Sequence, residues 1–190
     1  MCISVSNYIK SALKMSVKYA ISMPKRCGWV KMNNPIYVAY HDEEWGQPLH
    51  DDQALFELLC METYQAGLSW ETVLNKRQAF REAFHDYQVQ DVADMTDEEL
   101  EALMNNPAII RNRAKIFATR ANAQAFLQVQ AHYGSFDAYL WSFVDGKTMV
   151  NDIPDYSQAP AKTPLSEKLS KDLKKRGFKF TGPVAVLSFL

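Results

Sequence analysis

The sequence predicts an all-α protein. Three observations predict it. Glycines are few, at 7 in 190 residues, and β-branched runs are scarce beside many Ala, Leu, Glu, Lys and Gln residues. Leu55, Leu58, Leu59 and Glu62 fall at helical spacings i, i+3, i+4 and i+7. Start and stop signals of helices recur along the chain, as a capping box at Thr96 to Glu99 and as the pair Pro164 and Gly177.

The elements follow in order. Residues 24–50 hold Pro, Gly, Asn and aromatic residues and read as an irregular segment with short turns. Asp51 or Asp52 is the expected N-cap of the helix that carries Glu62. Gly67 permits a turn after it. Trp70 to Asn75 and Arg77 to Phe84 read as short helices, with Phe80 and Phe84 an apolar i, i+4 pair. The capping box opens a helix to about Met104, and Asn105-Asn-Pro107 breaks it. A long helix is expected from Ala108 to about Gln130, with Ile109, Ile110, Ile116 and Phe117 on its apolar side. These two helices and their break form a helix-hairpin-helix candidate, whose use would be to aim backbone amides at a DNA phosphate. Ser135 can cap Phe136 to Val144, and residues 145–164 read as a loop. Pro164 starts a helix to Arg176 that Gly177 stops, and Thr181 or Gly182 starts another with Pro183 in its first turn.

Glu62 is the most informative residue. An acid on an apolar stripe needs a partner, because burying an unpaired charge is costly. A backbone amide or an internal Arg would serve. So would a ligand, and a carboxylate close in sequence to the flat ring of Trp70 suits a planar, cationic, hydrogen-bonding guest such as an alkylated purine.

Composition narrows the class. A hydrophobic fraction of 47% supports a sizeable core, in one domain or two small lobes. The net charge of -1 gives no bulk positive field, so any nucleic-acid contact must be local. Arg111, Arg113, Lys115 and Arg120 form one basic cluster; Lys171, Lys174, Lys175, Arg176 and Lys179 form another. Both also read as solvated helix faces, and the acidic run Asp91 to Glu101 offsets them. Cys2, Cys27 and Cys60 make no disulfide framework, which points to a reducing cytoplasm. No stretch approaches a membrane span. The weakly amphipathic residues 1–22 lack the compact apolar core of a signal peptide.

Six segments together carry a resemblance. They are Arg26-Cys-Gly-Trp29, Tyr37-Val-Ala-Tyr-His-Asp42, Glu44-Trp-Gly46, Gln65-Ala-Gly-Leu-Ser-Trp70, Ile109-Ile-Arg111 and Leu173-Lys-Lys-Arg-Gly-Phe-Lys-Phe180. In this order and spacing the chain from about Lys25 to Leu190 resembles 3-methyladenine DNA glycosylase type I. The resemblance implies an all-helical enzyme of the helix-hairpin-helix glycosylase superfamily, acting in base-excision repair. Such an enzyme flips the damaged nucleotide and hydrolyses the bond between sugar and 3-methyladenine, with 3-methylguanine as a second candidate substrate. Residues 1–22 fall outside the match. They are expected to be an upstream extension, poorly ordered or a short helix, with Met23 as a second start; residues 23–190 would be the glycosylase domain, shortened at its C-terminus.

The resemblance implies the site as well. Glu62 matches the base-recognising carboxylate and is the expected catalytic residue. Trp29, Tyr37, Tyr40 and Trp70 match the pocket aromatics; Trp45 lies nearby and fits pocket and core equally. Arg111, Arg113 and Lys115 are the expected DNA contacts. Asp137 is the position to weigh for the Asp that many superfamily members use, but a first-turn helix charge explains it better. Cys27 and His41 match two of the family's four zinc ligands, the other two being a His and a Cys beyond the end of this chain. A low-affinity half-site with little or no stoichiometric zinc is therefore expected. The expected partners are alkylated double-stranded DNA and 3-methyladenine, with no membrane; the protein would be a monomer, cytoplasmic and nucleoid-associated when acting. The alternative is a DNA- or alkylated-base-binding module that keeps the pocket but has lost turnover.

Overall fold

The computed structural model describes residues 26–190 except 152, 154 and 155. The expectations for residues 1–22, Met23 and Cys2 therefore lie outside the described residues. Among those described, ten α-helices and short 3-10 and π turns account for the regular structure, and there are no strands. The all-α expectation holds. No helix among them is long and apolar enough to cross a membrane. The described residues divide into two compact units, those from 26 to 47 with those of 151–159, and those of 48–150 with 160–190.

The first unit corrects the expectation of an irregular N-terminal segment. Helix α1, Pro35–Ala39, runs straight into a π-helical turn, Tyr40–Glu44. The local signal is Asn34, whose side chain accepts from the amides of Ile36 and Tyr37, followed by Pro35 in the first turn. The Trp45 amide donates to the Tyr40 carbonyl at 2.9 Å, which closes the wide turn.

The second unit is built around α2, Asp52–Gln65. Asp51 is its N-cap, accepting from the Ala54 amide at 2.8 Å. Asp52 does something else. Its two oxygens accept from the amides of Phe136 and Asp137 and from the Gln130 side chain, so it caps a helix far away in sequence. The stripe read from the sequence is real but too narrow: Phe56, Glu57, Cys60, Met61, Thr63 and Tyr64 are buried as well as Leu55, Leu59 and Glu62. A helix covered on nearly all sides is the centre of its unit.

Beside it lie α3, Trp70–Leu74, and α4, Arg77–Ala83, followed in the chain by α5, Val89–Asp94. Phe80 and Phe84 are buried as expected, and Phe80 stacks on Tyr64 at 4.2 Å. Helix α6, Asp97–Ala102, has both bonds of its capping box, Thr96 with Glu99, and ends in a 3-10 turn, Leu103–Asn105. Helix α7, Arg113–Tyr133, starts later than the expected Ala108, because Asn112 caps it by accepting from the Lys115 amide at 3.1 Å. Ile109 is buried within the hairpin rather than on the helix. Helix α8 is Phe136–Trp141, capped by Ser135 and extended by a 3-10 turn to Val144. Helix α9, Pro164–Lys175, stops at Gly177, whose φ of +99° favours glycine. Helix α10 is Pro183–Phe189. Ring contacts join the core of this unit, with Phe136 stacked on Phe126 at 4.1 Å and Phe56 edge-on to Phe126 at 5.2 Å.

Candidate functional site

Glu62 sits in the last turn of α2 and is 4% exposed. No described residue donates a hydrogen bond to its Oε2. Burial alone raises its carboxyl from the ordinary 4.5, pushing it up to about 8. The carboxyl therefore carries a proton at neutral pH. Neither bland partner, amide nor Arg, is supplied to that oxygen. A buried polar atom left without a partner costs about 1–3 kcal/mol.

The other carboxylate of α2 shows what a structural partner looks like. Glu57 accepts from Arg77 at 2.7 Å and from Arg81 at 2.7 and 3.0 Å. Sequence reading missed this pair of arginines, since nothing in spacing alone brings α4 over α2.

After Glu62 the chain turns through Ala66 to Ser69, all exposed, with Gly67 at a φ of +79°. The positive φ makes glycine the fitting residue there. Ser69 then caps α3, accepting from the Thr72 amide at 3.2 Å. Trp70 is the first residue of that helix and is buried. One short turn thus separates the expected base-holding carboxylate from the expected stacking ring.

The remaining expected base-binding residues lie in the first unit. Tyr37 and Tyr40 are buried, at 8% and 7% exposed. Trp29 lies 5.4 Å from Tyr37, 5.2 Å from His41 and 5.2 Å from Trp45, and His41 stacks on Trp45 at 5.6 Å. Trp45 thus belongs to a ring cluster of its own unit. Arg26 clasps Asp42 with contacts of 2.6 to 2.9 Å, and Arg26 and then His41 hold the Asp42 carboxyl down to about 2.

Cys27 and His41, the two expected zinc ligands, lie together in the first unit. Asp42 faces His41 Nδ1 at 2.9 Å, and His41 Nε2 accepts from the Cys27 amide at 3.3 Å. These bonds place the ring proton on Nδ1. Two donors do not complete the tetrahedron zinc takes. Among the described residues no group of three or more His, Cys, Asp or Glu side chains is disposed to hold a metal.

The basic cluster divides. Arg111 is exposed on the hairpin, and Arg113, at the start of α7, is exposed and paired with Glu101 at 2.6 Å. Both can face a phosphate. Lys115 is corrected. It is 6% exposed, and its ammonium donates to the carbonyls of Tyr64 at 2.9 Å and Ala66 at 2.6 Å. A buried cation spent on helix-end carbonyls is not a phosphate contact. Arg120 is likewise spent, on the Met95 carbonyl and on Asp97. In the second basic cluster Arg176 pairs with Asp172 and lies over the rings of Tyr133 and Tyr139. Asp137 faces His50 at 2.8 Å near the start of α8 and supports the reading as a helix-end charge.

An all-α fold with a hairpin between α6 and α7, and a buried unsatisfied acid on the central helix, has counterparts. The structure matches that of a tyrosine-to-phenylalanine variant of 3-methyladenine DNA glycosylase I in complex with 3-methyladenine, at a TM-score of 0.84 and 44% identity, covering 87% of this chain and 88% of that one. It also matches the Staphylococcus aureus 3-methyladenine DNA glycosylase I, at 0.81 and 46%, covering 83% and 84%. In sequence it is 48% identical over 168 residues to the DNA-3-methyladenine glycosylase of Haemophilus influenzae, covering 88% of this chain and 90% of that protein. It is 46% identical over 166 residues to DNA-3-methyladenine glycosylase 1 of Escherichia coli K12, covering 87% and 88%. The chain belongs to the methyladenine glycosylase family, whose model matches residues 29–190.

Proposed function

We propose that this chain removes 3-methyladenine from alkylated double-stranded DNA by hydrolysing its N-glycosidic bond, with Glu62 holding the extruded base. The single observation that carries the role of Glu62 is its buried Oε2, which accepts nothing from the described residues. Family membership supports the reaction class, N-glycosyl hydrolysis in base-excision repair.

The chemistry follows from the charges. Methylation at N3 makes the purine of the nucleotide a cation. Extruding the nucleotide costs a few kcal/mol. Stacking on a Trp such as Trp70 returns roughly 1–3 kcal/mol, and the positive ring adds cation–π attraction. Glu62 meets the cation with its proton on. The incoming charge draws the carboxyl down, the proton leaves, and the carboxylate accepts from the exocyclic 6-amine, where guanine carries a carbonyl instead. As the bond breaks, its electron pair passes to the base nitrogen and neutralises the ring. Positive charge moves onto the sugar, water adds at C1′, and a proton goes to solvent. The leaving group is already activated, so strong acid catalysis is unnecessary.

In this proposal Trp29, Tyr37, Tyr40 and Trp45 are the further base-binding aromatics, and Arg111 and Arg113 the phosphate contacts. The chain acts as a monomer in the cytoplasm, at the nucleoid. Cys27 and His41 are held to be at most half of a zinc site, and metal analysis is expected to find far less than one zinc per chain; one per chain would overturn that. The test of the main reading is chromatography of methylated duplex DNA after incubation. Free 3-methyladenine is expected, and 3-methylguanine would show as a second peak. No release above that of a Glu62→Ala control overturns the reading. Release from single strands but not duplex would overturn the duplex assignment alone.

A further inference from the structure

Two lysines tie the stretch from the end of α2 to the start of α4 to the hairpin and the start of α7, one from each side. Lys115 stands in the first turn of α7 and reaches back to the carbonyls of Tyr64 and Ala66. Lys76 stands between α3 and α4 and reaches forward to the carbonyl of Ala108 at 2.8 Å and that of Pro107 at 3.4 Å. The first clasp is buried; the second is part-exposed.

The first clasp fills a defined need. A helix leaves its last carbonyls without intrahelical partners, and its C-terminus carries partial negative charge. In α2 the Gln65 carbonyl is met by the Leu68 amide at 2.7 Å. The Tyr64 and Ala66 carbonyls are met by Lys115. The rest of the turn, Ala66 to Ser69, is exposed. The Lys115 ammonium is therefore the main anchor of the turn. The turn it holds runs in the chain between Glu62, in the last turn of α2, and Trp70, in the first turn of α3.

We propose that Lys115 is a positioning residue for base recognition, coupling the hairpin to the turn that joins Glu62 and Trp70, with Lys76 as a weaker second clasp. This rests on the reading of Glu62 and Trp70 as base-holding groups. Its consequence is that a load on the start of α7, where a phosphate would seat, is felt at the end of α2.

Lys115→Met tests it, since Met keeps the length and loses the donors. The measurements are the affinity for free 3-methyladenine by tryptophan fluorescence, kcat and KM on methylated duplex, and the salt dependence of binding to undamaged duplex. The expected result is base affinity weakened about tenfold with kcat lowered, while duplex affinity and its salt slope stay put. A Lys115→Gln variant, which keeps donors without charge, should recover part of the loss, and Lys76→Met should move the same readouts less. A salt slope reduced by about one with unchanged base affinity would make Lys115 a phosphate contact and overturn the proposal. A lower melting temperature with unchanged base affinity in the folded variant would make it merely structural and also overturn it. Where the Met variant does not fold, the Gln variant decides by the same criteria. A native chain that neither binds nor releases 3-methyladenine defeats the glycosylase reading itself. A native chain that does both, with variants of unchanged base affinity, defeats only the role of Lys115.

Discussion

Glu57 and Glu62 are buried on the same helix, and the two ends of α2 treat them in opposite ways. At Glu57, burial raises the carboxyl, but Arg81 and Arg77 outweigh it and the net displacement is downward. At Glu62 burial stands alone, and the carboxyl rises to about 8. The first is a finished interaction. The second lacks a positive partner, which a cationic base would be. The difference separates an acid set by its ion-pair partners from an acid set by burial alone.

Removing the finished interaction should have the largest effect. Glu57→Ala strips Arg77 and Arg81 of their shared partner and is expected to cost about 3 kcal/mol, the low end of the range for a buried pair because Arg81 is part-exposed. Urea unfolding checks it, and excision per folded molecule should be unaffected.

The pH dependence of stability comes next. The folded chain keeps a proton on Glu62 that the unfolded chain releases near its ordinary 4.5. Stability from this group is therefore full below about 4.5 and is lost as pH rises toward about 8. Glu62→Gln should flatten that fall. Glu57 has the opposite sign, contributing above its ordinary value and losing its contribution as pH falls through its lowered one. Melting temperatures across pH for both variants separate the two.

A smaller effect is expected on catalysis. Glu62→Gln should lower excision about 30-fold, equivalent to about 2 kcal/mol, because an amide accepts the same hydrogen bond without the charge. An unchanged rate would end the contrast between the two acids. The smallest effect belongs to an exposed pair. Arg113→Ala, which breaks the contact with Glu101, should change stability by less than about 0.5 kcal/mol. It should, however, reduce the salt slope of duplex binding by about one.

Most of the fold was legible where its signal was local. The Asp51 cap, the Thr96 and Glu99 box, Ser135, Pro164, Gly177 and Pro183 each act within one turn, so spacing alone reveals them. Helix α7 was misplaced because Ile109 and Ile110 continue an apolar pattern, and only the Asn112 cap marks the true start. In the site, the burial of Glu62 could be read from its stripe. Lys115 could not, because it looks like one more residue of a basic cluster. Its meaning depends on a carbonyl of Tyr64, which only the tertiary fold brings within reach. Glu57 is similar, since its arginines come from another helix.

Asp51 and Asp52 are neighbours in the chain, yet one starts its own helix and the other starts α8. The order of assembly follows. The amides of Phe136 and Asp137 find their acceptor only once the opening of α2 is in place. A peptide cut from around residues 130–145 therefore lacks the group that begins its helix and should be largely unstructured alone. In the intact protein these two amides should exchange with solvent only when α2 itself opens, which makes the far helix a dependent of the central one.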